Sequence, residues 1–115
     1  MTQKKIAESF SNGKFELVFE HFAENIQWIV IGEAQFDGIE KVIDNCKQTA
    51  NYFKSVTTEF KTLNVIVGNN HIVINGTAEF LKDNKRVAFV SACDVYEFNN
   101  DNKLERITSY CIQNK

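Results

Sequence analysis

From Ser55 almost to its end, the sequence alternates apolar and polar residues with a period of two. That periodicity excludes helix over the second half of the chain and requires extended strands with two distinct faces. Three polar, Asn/Gly-rich breaks interrupt it, at Gly68-Asn69-Asn70, Asp83-Asn84-Lys85 and Asn99 to Lys103. Each suits a short hairpin. The reading is four long antiparallel strands, at about 56–67, 71–82, 86–98 and 104–113, forming a strongly curved meander.

The first half has a different period. Ile6 and Phe10 predict a short first helix that Asn12-Gly13 terminates, glycine being at ease in the left-handed C′ conformation. Phe15, Val18, Phe19 and Phe22 follow at i, i+3, i+4 and i+7 and predict a second helix. Asn25 to Gly32, with Ile26, Trp28, Ile29, Val30 and Ile31, reads as a strand. Asp37 is then placed to cap a third helix over about residues 38 to 54, whose apolar positions are Ile39, Val42, Ile43, Cys46, Ala50 and Phe53. The order α-α-β-α-β-β-β-β is an α+β architecture, with helices covering one face of the sheet.

Composition narrows the function classes. The 115 residues suit one domain, 1–115, with one core, and ten phenylalanines make that core aromatic. A formal net charge of −2 offers no basic footprint for nucleic acid or an anionic membrane. No run approaches the ~20 apolar residues of a membrane span. Lys4 and Lys5 are not followed by an apolar signal segment, so a cytoplasmic setting is expected. Cys46, Cys93 and Cys111 have no CxxC spacing and read as reduced thiols, although Cys93 and Cys111 could face each other across a hairpin. No His/Cys/Asp/Glu grouping has metal-ligand spacing, and no nucleotide-binding glycine motif occurs, so neither metal nor cofactor is expected.

Asp94 is the residue that stands out. It lies mid-strand on the side of Val90, Ala92, Tyr96 and Phe98, and a carboxylate is costly to bury without partners. Symmetric hairpins would align Asn64, Ile74, Asp94 and Thr108 in one row across the sheet, a row that any bulge would displace. The same parity puts Ile66, Arg106, Tyr110 and Ile112 on the Asp94 face, together with the small residues Gly76, Ala78, Ala88 and Ala92. The opposite face mixes Leu63, Val65, Val73, Val87, Phe89, Val95 and Ile107 with polar residues. It is too apolar for solvent alone, so a homodimer through this outer sheet face is expected.

The order of elements resembles the nuclear transport factor 2-like superfamily, and within it the SnoaL-like group of polyketide cyclases and ketosteroid isomerases. The local echoes are Asn12-Gly13, Phe22-Ala23-Glu24-Asn25, Asp37-Gly38, and Cys93-Asp94-Val95-Tyr96-Glu97-Phe98 running into Asn99 to Leu104. The resemblance covers nearly the whole chain. It implies a cone-shaped, cystatin-like fold with a pocket between curved sheet and helices, and a homodimer. In ketosteroid isomerases a protonated aspartic acid on this strand donates to the developing oxyanion, and Asp94 falls at the matching place. The group's base aspartate would fall near Ile29 or Val30 and its tyrosine near Ile6, none of which transfers protons, so the steroid isomerase mechanism is not expected here.

Three functions follow. The favoured one is a pocket for a small apolar molecule, with Asp94 as its carboxylate and Trp28, Asn64, Tyr96, Thr108 and Tyr110 as ligand contacts. The second is a cofactor-independent isomerase, cyclase or hydratase in which Asp94 is the catalytic acid/base. The third is a non-catalytic association module. Asp94 could also serve only to fix the strand register through hydrogen bonds to its neighbours. Glu33 could reach a pocket rim, while His21 and His71 read as surface residues.

Overall fold

The computed structural model describes residues 1–114. Helix α1 spans Gln3–Ser11 and α2 spans Ile39–Ser55; the strands are β1 Phe22–Val30, β2 Ala34–Asp37, β3 Thr57–Val67, β4 His71–Lys82, β5 Lys85–Phe98 and β6 Leu104–Asn114. They form one six-stranded sheet in the order β2-β1-β6-β5-β4-β3, antiparallel except for the parallel β1–β6 pair. Both helices lie on the concave side. No helix among the described residues is long and apolar enough to cross a membrane.

Local chemistry accounts for the helix ends. Thr2 Oγ1 accepts from Lys5 N at 3.1 Å and caps α1, whose inward side carries Ile6, Ala7 and Phe10. Gly13, at φ +76°, ends it, with its Cα side against Phe53 and Phe60, where a Cβ would come within 3.1–3.3 Å of their rings. On α2 the expected seam is inward, with Val42 and Cys46 fully buried and Ile39, Ile43, Ala50 and Phe53 packed beside them.

The second helix is not formed. Its residues make two single 3₁₀ turns, Phe15–Leu17 and Phe19–His21, closed by Val18 N to Phe15 O and His21 N to Val18 O. Phe15, Val18 and Phe22 are buried all the same. A three-residue turn brings every third residue to one side, so the spacing satisfies either helix type. The described residues therefore form two α-helices, not three.

The four-residue strand β2 was not anticipated. It contains one large apolar residue, Phe36, too little for an alternation to register. Gly32, at φ +78°, makes the turn into it. Asp37 consequently belongs to β2, where it accepts from Gln27 and Gln35, and Gly38 occupies the helix cap without a side-chain bond.

Two bulges displace the row expected beside Asp94; a further irregularity, at Val87 on β5, lies nearer the β4–β5 turn. Ile74 pairs with Asp94 as the hairpin predicts. On β3, however, Leu63 is skipped, and Asn64 pairs with Asn75 instead of Ile74. On β6, Glu105 is skipped, and Asp94 pairs with Ser109 instead of Thr108. One extra residue flips every later side chain to the other face. Ile107, Ser109 and Val65 therefore turn inward, and Ile66, Arg106, Thr108, Tyr110 and Ile112 turn out to the convex face. Nothing in the described chain covers that face, and Leu63, Ile66, Val87, Tyr110 and Ile112 are exposed there.

Candidate functional site

A cavity of about 460 Å³ lies between the concave sheet face, the end of α1 and the inner side of α2. Its walls are apolar and largely aromatic, with Phe10, Trp28, Phe36, Phe53, Phe60 and Phe80 among them. Gly76 and Ala92 leave the sheet bare beneath it. Gly76 cannot be larger, because a Cβ there would stand 2.6 Å from the Lys61 carbonyl oxygen across the ladder, beside the Leu63 bulge.

Asp94 lines this cavity and keeps part of its surface open to it. Ser11, the last residue of α1, donates to Asp94 Oδ2 at 3.1 Å, and its oxygen lies 2.5 Å from Tyr96 Oη. A hydroxyl has one proton to give. While Ser11 gives its own to an ionised Asp94, Tyr96 must donate to Ser11, so the three form a directed chain from phenol to hydroxyl to carboxylate. Tyr96 Oη is also 3.5 Å from Asp94 Oδ2. On the opposite side Ser109 accepts from Trp28 Nε1 at 3.0 Å, which leaves its own proton to offer to Asp94.

Burial pushes the Asp94 carboxyl above the usual carboxylate range; the hydroxyls of Ser109, Ser11 and Tyr96 offset part of this. Burial, reinforced by the Asp94 charge, holds the fully buried Tyr96 phenol well above its ordinary value, so it stays a donor. Cys111, also in the lining, is raised to about 11 by burial and then by the charges of Asp94 and Glu33.

A raised carboxyl has a stability consequence of definite sign. The folded chain holds the Asp94 proton more tightly than the unfolded chain does. The stabilisation is therefore complete below the unfolded value of 3.8 and is lost as pH rises through the elevated folded value. Asp94→Asn keeps an acceptor for Ser11 and removes the titration. The variant should gain on the natural chain as pH rises from about 4, by ~1.4 kcal/mol per unit of elevation. Urea midpoints measured across that range check this; a difference that stays flat or changes sign refutes it.

Trp28 and Asp94 line the cavity, and Tyr96 stands directly behind Asp94. Asn64 and Tyr110 are exposed and Thr108 is half-buried on the convex face, so none of these three reaches the cavity. The two bulges are the reason. Ser11 carried no sequence signal, and strict alternation without the Glu105 bulge would put Ser109 on the convex face. Glu33, in the β1–β2 turn, does reach the rim. His21 and His71 sit beside Glu20 and Glu97, away from it. Among the described residues no three His, Cys, Asp or Glu side chains converge on a metal position. The cysteines are free; Cys93 pairs with Tyr110, not Cys111, and the alternation puts the two thiols on opposite faces.

A family model of the SnoaL-like domain matches residues 4–107. No curated protein matches the chain. Among solved structures, the chain is similar to an NTF2-like protein of unknown function from Cytophaga hutchinsonii, at 38% identity and a TM-score of 0.85, over 94% of each chain. It is also similar in fold to an LEH-like epoxide hydrolase of M. tuberculosis, at 14% identity and a TM-score of 0.71, covering 95% of this chain and 81% of that one. A candidate isomerase of the SnoaL-like family from Agrobacterium tumefaciens gives 17% identity and a TM-score of 0.72, over 97% and 99%. At those lower identities the likeness is one of fold alone. The family match over most of the length, and the helix-covered curved sheet it accompanies, establish that this chain belongs to the SnoaL-like domain family.

Proposed function

We propose that the protein binds a compact, mostly apolar small molecule, with Asp94 as the polar anchor of the site. The observation that carries this reading is a single interior carboxylate facing an aromatic-walled cavity of about 460 Å³. That size exceeds the ~300 Å³ at which ligand sites begin, and the mix of apolar wall with few polar groups is what such sites contain. Trp28 serves as a flat wall and Tyr96 holds Asp94 in place through Ser11. The protein works as a homodimer through its convex sheet face.

A second reading draws support from Glu33, a second carboxylate in the lining. In that reading Asp94 moves a proton in a cofactor-independent isomerisation, cyclisation or hydration. A steroid isomerase mechanism has no support, because Ile6, Ile29 and Val30 cannot transfer protons.

A thermal-shift screen against small apolar acids, ketones, amines and steroids tests the first reading. A ligand at about a hundred times its Kd adds ~2.7 kcal/mol of apparent stability, a rise easily seen in Tm. The expected result is a hit whose affinity falls about tenfold in Asp94→Asn, as loss of a charge-assisted hydrogen bond requires. Unchanged binding by Asp94→Asn would remove Asp94 from the site. Incubating a hit with the protein and following its conversion separates the enzyme reading from simple binding.

A further inference from the structure

The charge balance of the cavity goes further than its size. Of its lining residues, Asp94 and Glu33 carry carboxylates and Cys111 a thiol. Among the described residues Lys61 is the single cationic one touching the cavity, and it is exposed, with its pairing to Thr77 giving it the parity of the convex face. Its contribution is the backbone carbonyl beside Gly76. The alternation turns its ammonium away. Among the described residues the lining therefore carries one interior carboxylate, a second at the rim, and no inward cation.

The two carboxylates belong to one side of the cavity. Cys111 is the next inward position on β6 after Ser109, which pairs with both Asp94 and Val30. Glu33 follows three residues after Val30, in the turn that opens over that end of the sheet, and Glu33 N bonds Val30 O at 3.0 Å. Both acid groups act on the Cys111 thiol between them. The β3–β4 side of the cavity is aromatic, from Phe53, Phe60 and Phe80, and Phe10 and Trp28 add rings beside Ser109 and Tyr96. Rings attract a cation over their faces, most strongly where water is excluded. A carboxylate or phosphate ligand would meet like charge and no counter-ion.

We infer that the cavity recognises a hydrophobic amine in its ammonium form, the apolar body lying against the aromatic rings and the charged head on the side of Asp94 and Glu33. This rests on the pocket reading above and names its ligand class. It also gives the raised Asp94 carboxyl a role. The ammonium binds the ionised carboxylate, so wherever Asp94 carries its proton an arriving ammonium must displace it. The groups facing Asp94 are Ser11 from α1, Tyr96 on its own strand, and Ser109 and Cys111 from β6, with Glu33 at the rim; β4 offers Ile74 and α2 offers the neutral Asn45 and Thr49. None of these is a competing cation. Amine affinity should therefore rise with pH through the Asp94 titration and fall only where the amine loses its own proton.

The test uses three probes of one shape: phenethylamine, phenethyl alcohol and phenylacetate. Binding is followed by calorimetry and by fluorescence of Trp28, the one tryptophan in the chain. The amine should bind about tenfold more tightly than the alcohol, with phenylacetate weakest. Glu33→Gln, at an exposed turn where folding is not at stake, and Asp94→Asn should each weaken the amine more than the alcohol and so reduce the amine's advantage. If the alcohol and the acid bind as well as the amine, the charge preference is wrong and the pocket reading survives. If none of the three binds and the wider screen is also silent, the pocket reading itself falls, and this inference with it.

Discussion

Phe10→Ala is expected to lower the folding free energy by about 3–5 kcal/mol, the upper range for emptying an aromatic core position. Phe10 is 4% exposed, and its ring centroid lies 4.9 Å from Phe15, 5.0 Å from Trp28, 5.8 Å from Tyr96 and 6.3 Å from Phe22. The first, second and third of these are edge-to-face contacts, which add to the area buried. The ring also forms part of the cavity wall, so the void left behind would join existing empty space instead of collapsing. Urea or guanidinium titration of the variant checks the figure, with Leu17→Ala as the control. Leu17 is 55% exposed and its truncation should cost ~0.5 kcal/mol or less. A loss below about 1 kcal/mol for Phe10→Ala would mean that this aromatic cluster is not the centre of the core.

Ile112→Glu should turn a dimer into a monomer. Leu63, Ile66, Val87, Tyr110 and Ile112 are exposed on the convex face, with Val73, Phe89 and Val95 half-buried among them. Two of the charged pairs that border them are neutralised within the chain. Arg86 pairs with Glu79 and stacks over Phe89 at 4.8 Å, and Arg106 lies 3.8 Å from Glu97. Two copies of this surface can meet about a two-fold axis, each supplying the same patch. Ile112 is 68% exposed, so the substitution leaves the single chain intact. In a symmetric interface it would bury two unpaired carboxylates at once, weakening association about a hundredfold or more. Light scattering should give twice the chain mass for the natural protein and the chain mass for the variant. A natural protein that is monomeric at high concentration ends the dimer proposal.

Most of the scaffold could be read from the chain. The four meander strands, the α2 seam and the stop at Gly13 are all set by local periodicity or by residues with special backbone freedom. The sequence-based reading failed where local patterns are degenerate. Phe15, Val18 and Phe22 satisfy a 3₁₀ turn as well as an α-helix. A strand of four residues has no period to detect, so β2 stayed hidden and Asp37 was assigned to a helix cap. The bulges at Leu63 and Glu105 mattered more. Neither residue is a glycine or proline that would mark a bulge, yet each reverses everything beyond it. That single effect took Asn64, Thr108 and Tyr110 away from the cavity and put Ser109 into it. Asp94 escaped because the two-residue turn at Asp83-Asn84 and the irregularity at Val87 together give the same Ile74–Asp94 pairing as a symmetric three-residue loop. Ser11 comes from a helix end far away in sequence, and only tertiary packing brings it to Asp94.

The one parallel pairing of the sheet has a consequence for how the molecule is made. Strand β1 meets Ile107, Thr108 and Ser109 of β6, so the sheet's interior neighbour for residues near the start of the chain is supplied by residues near its finish. A polypeptide emerging from the ribosome must carry β1 with only the short β2 beside it until β6 has been synthesised. Closure of that loop comes last and is entropically the most demanding step. Until it happens Trp28 lacks its hydrogen bond to Ser109 and the space beside Asp94 has no third wall. Assembly of the binding cavity and completion of the fold are thus the same event.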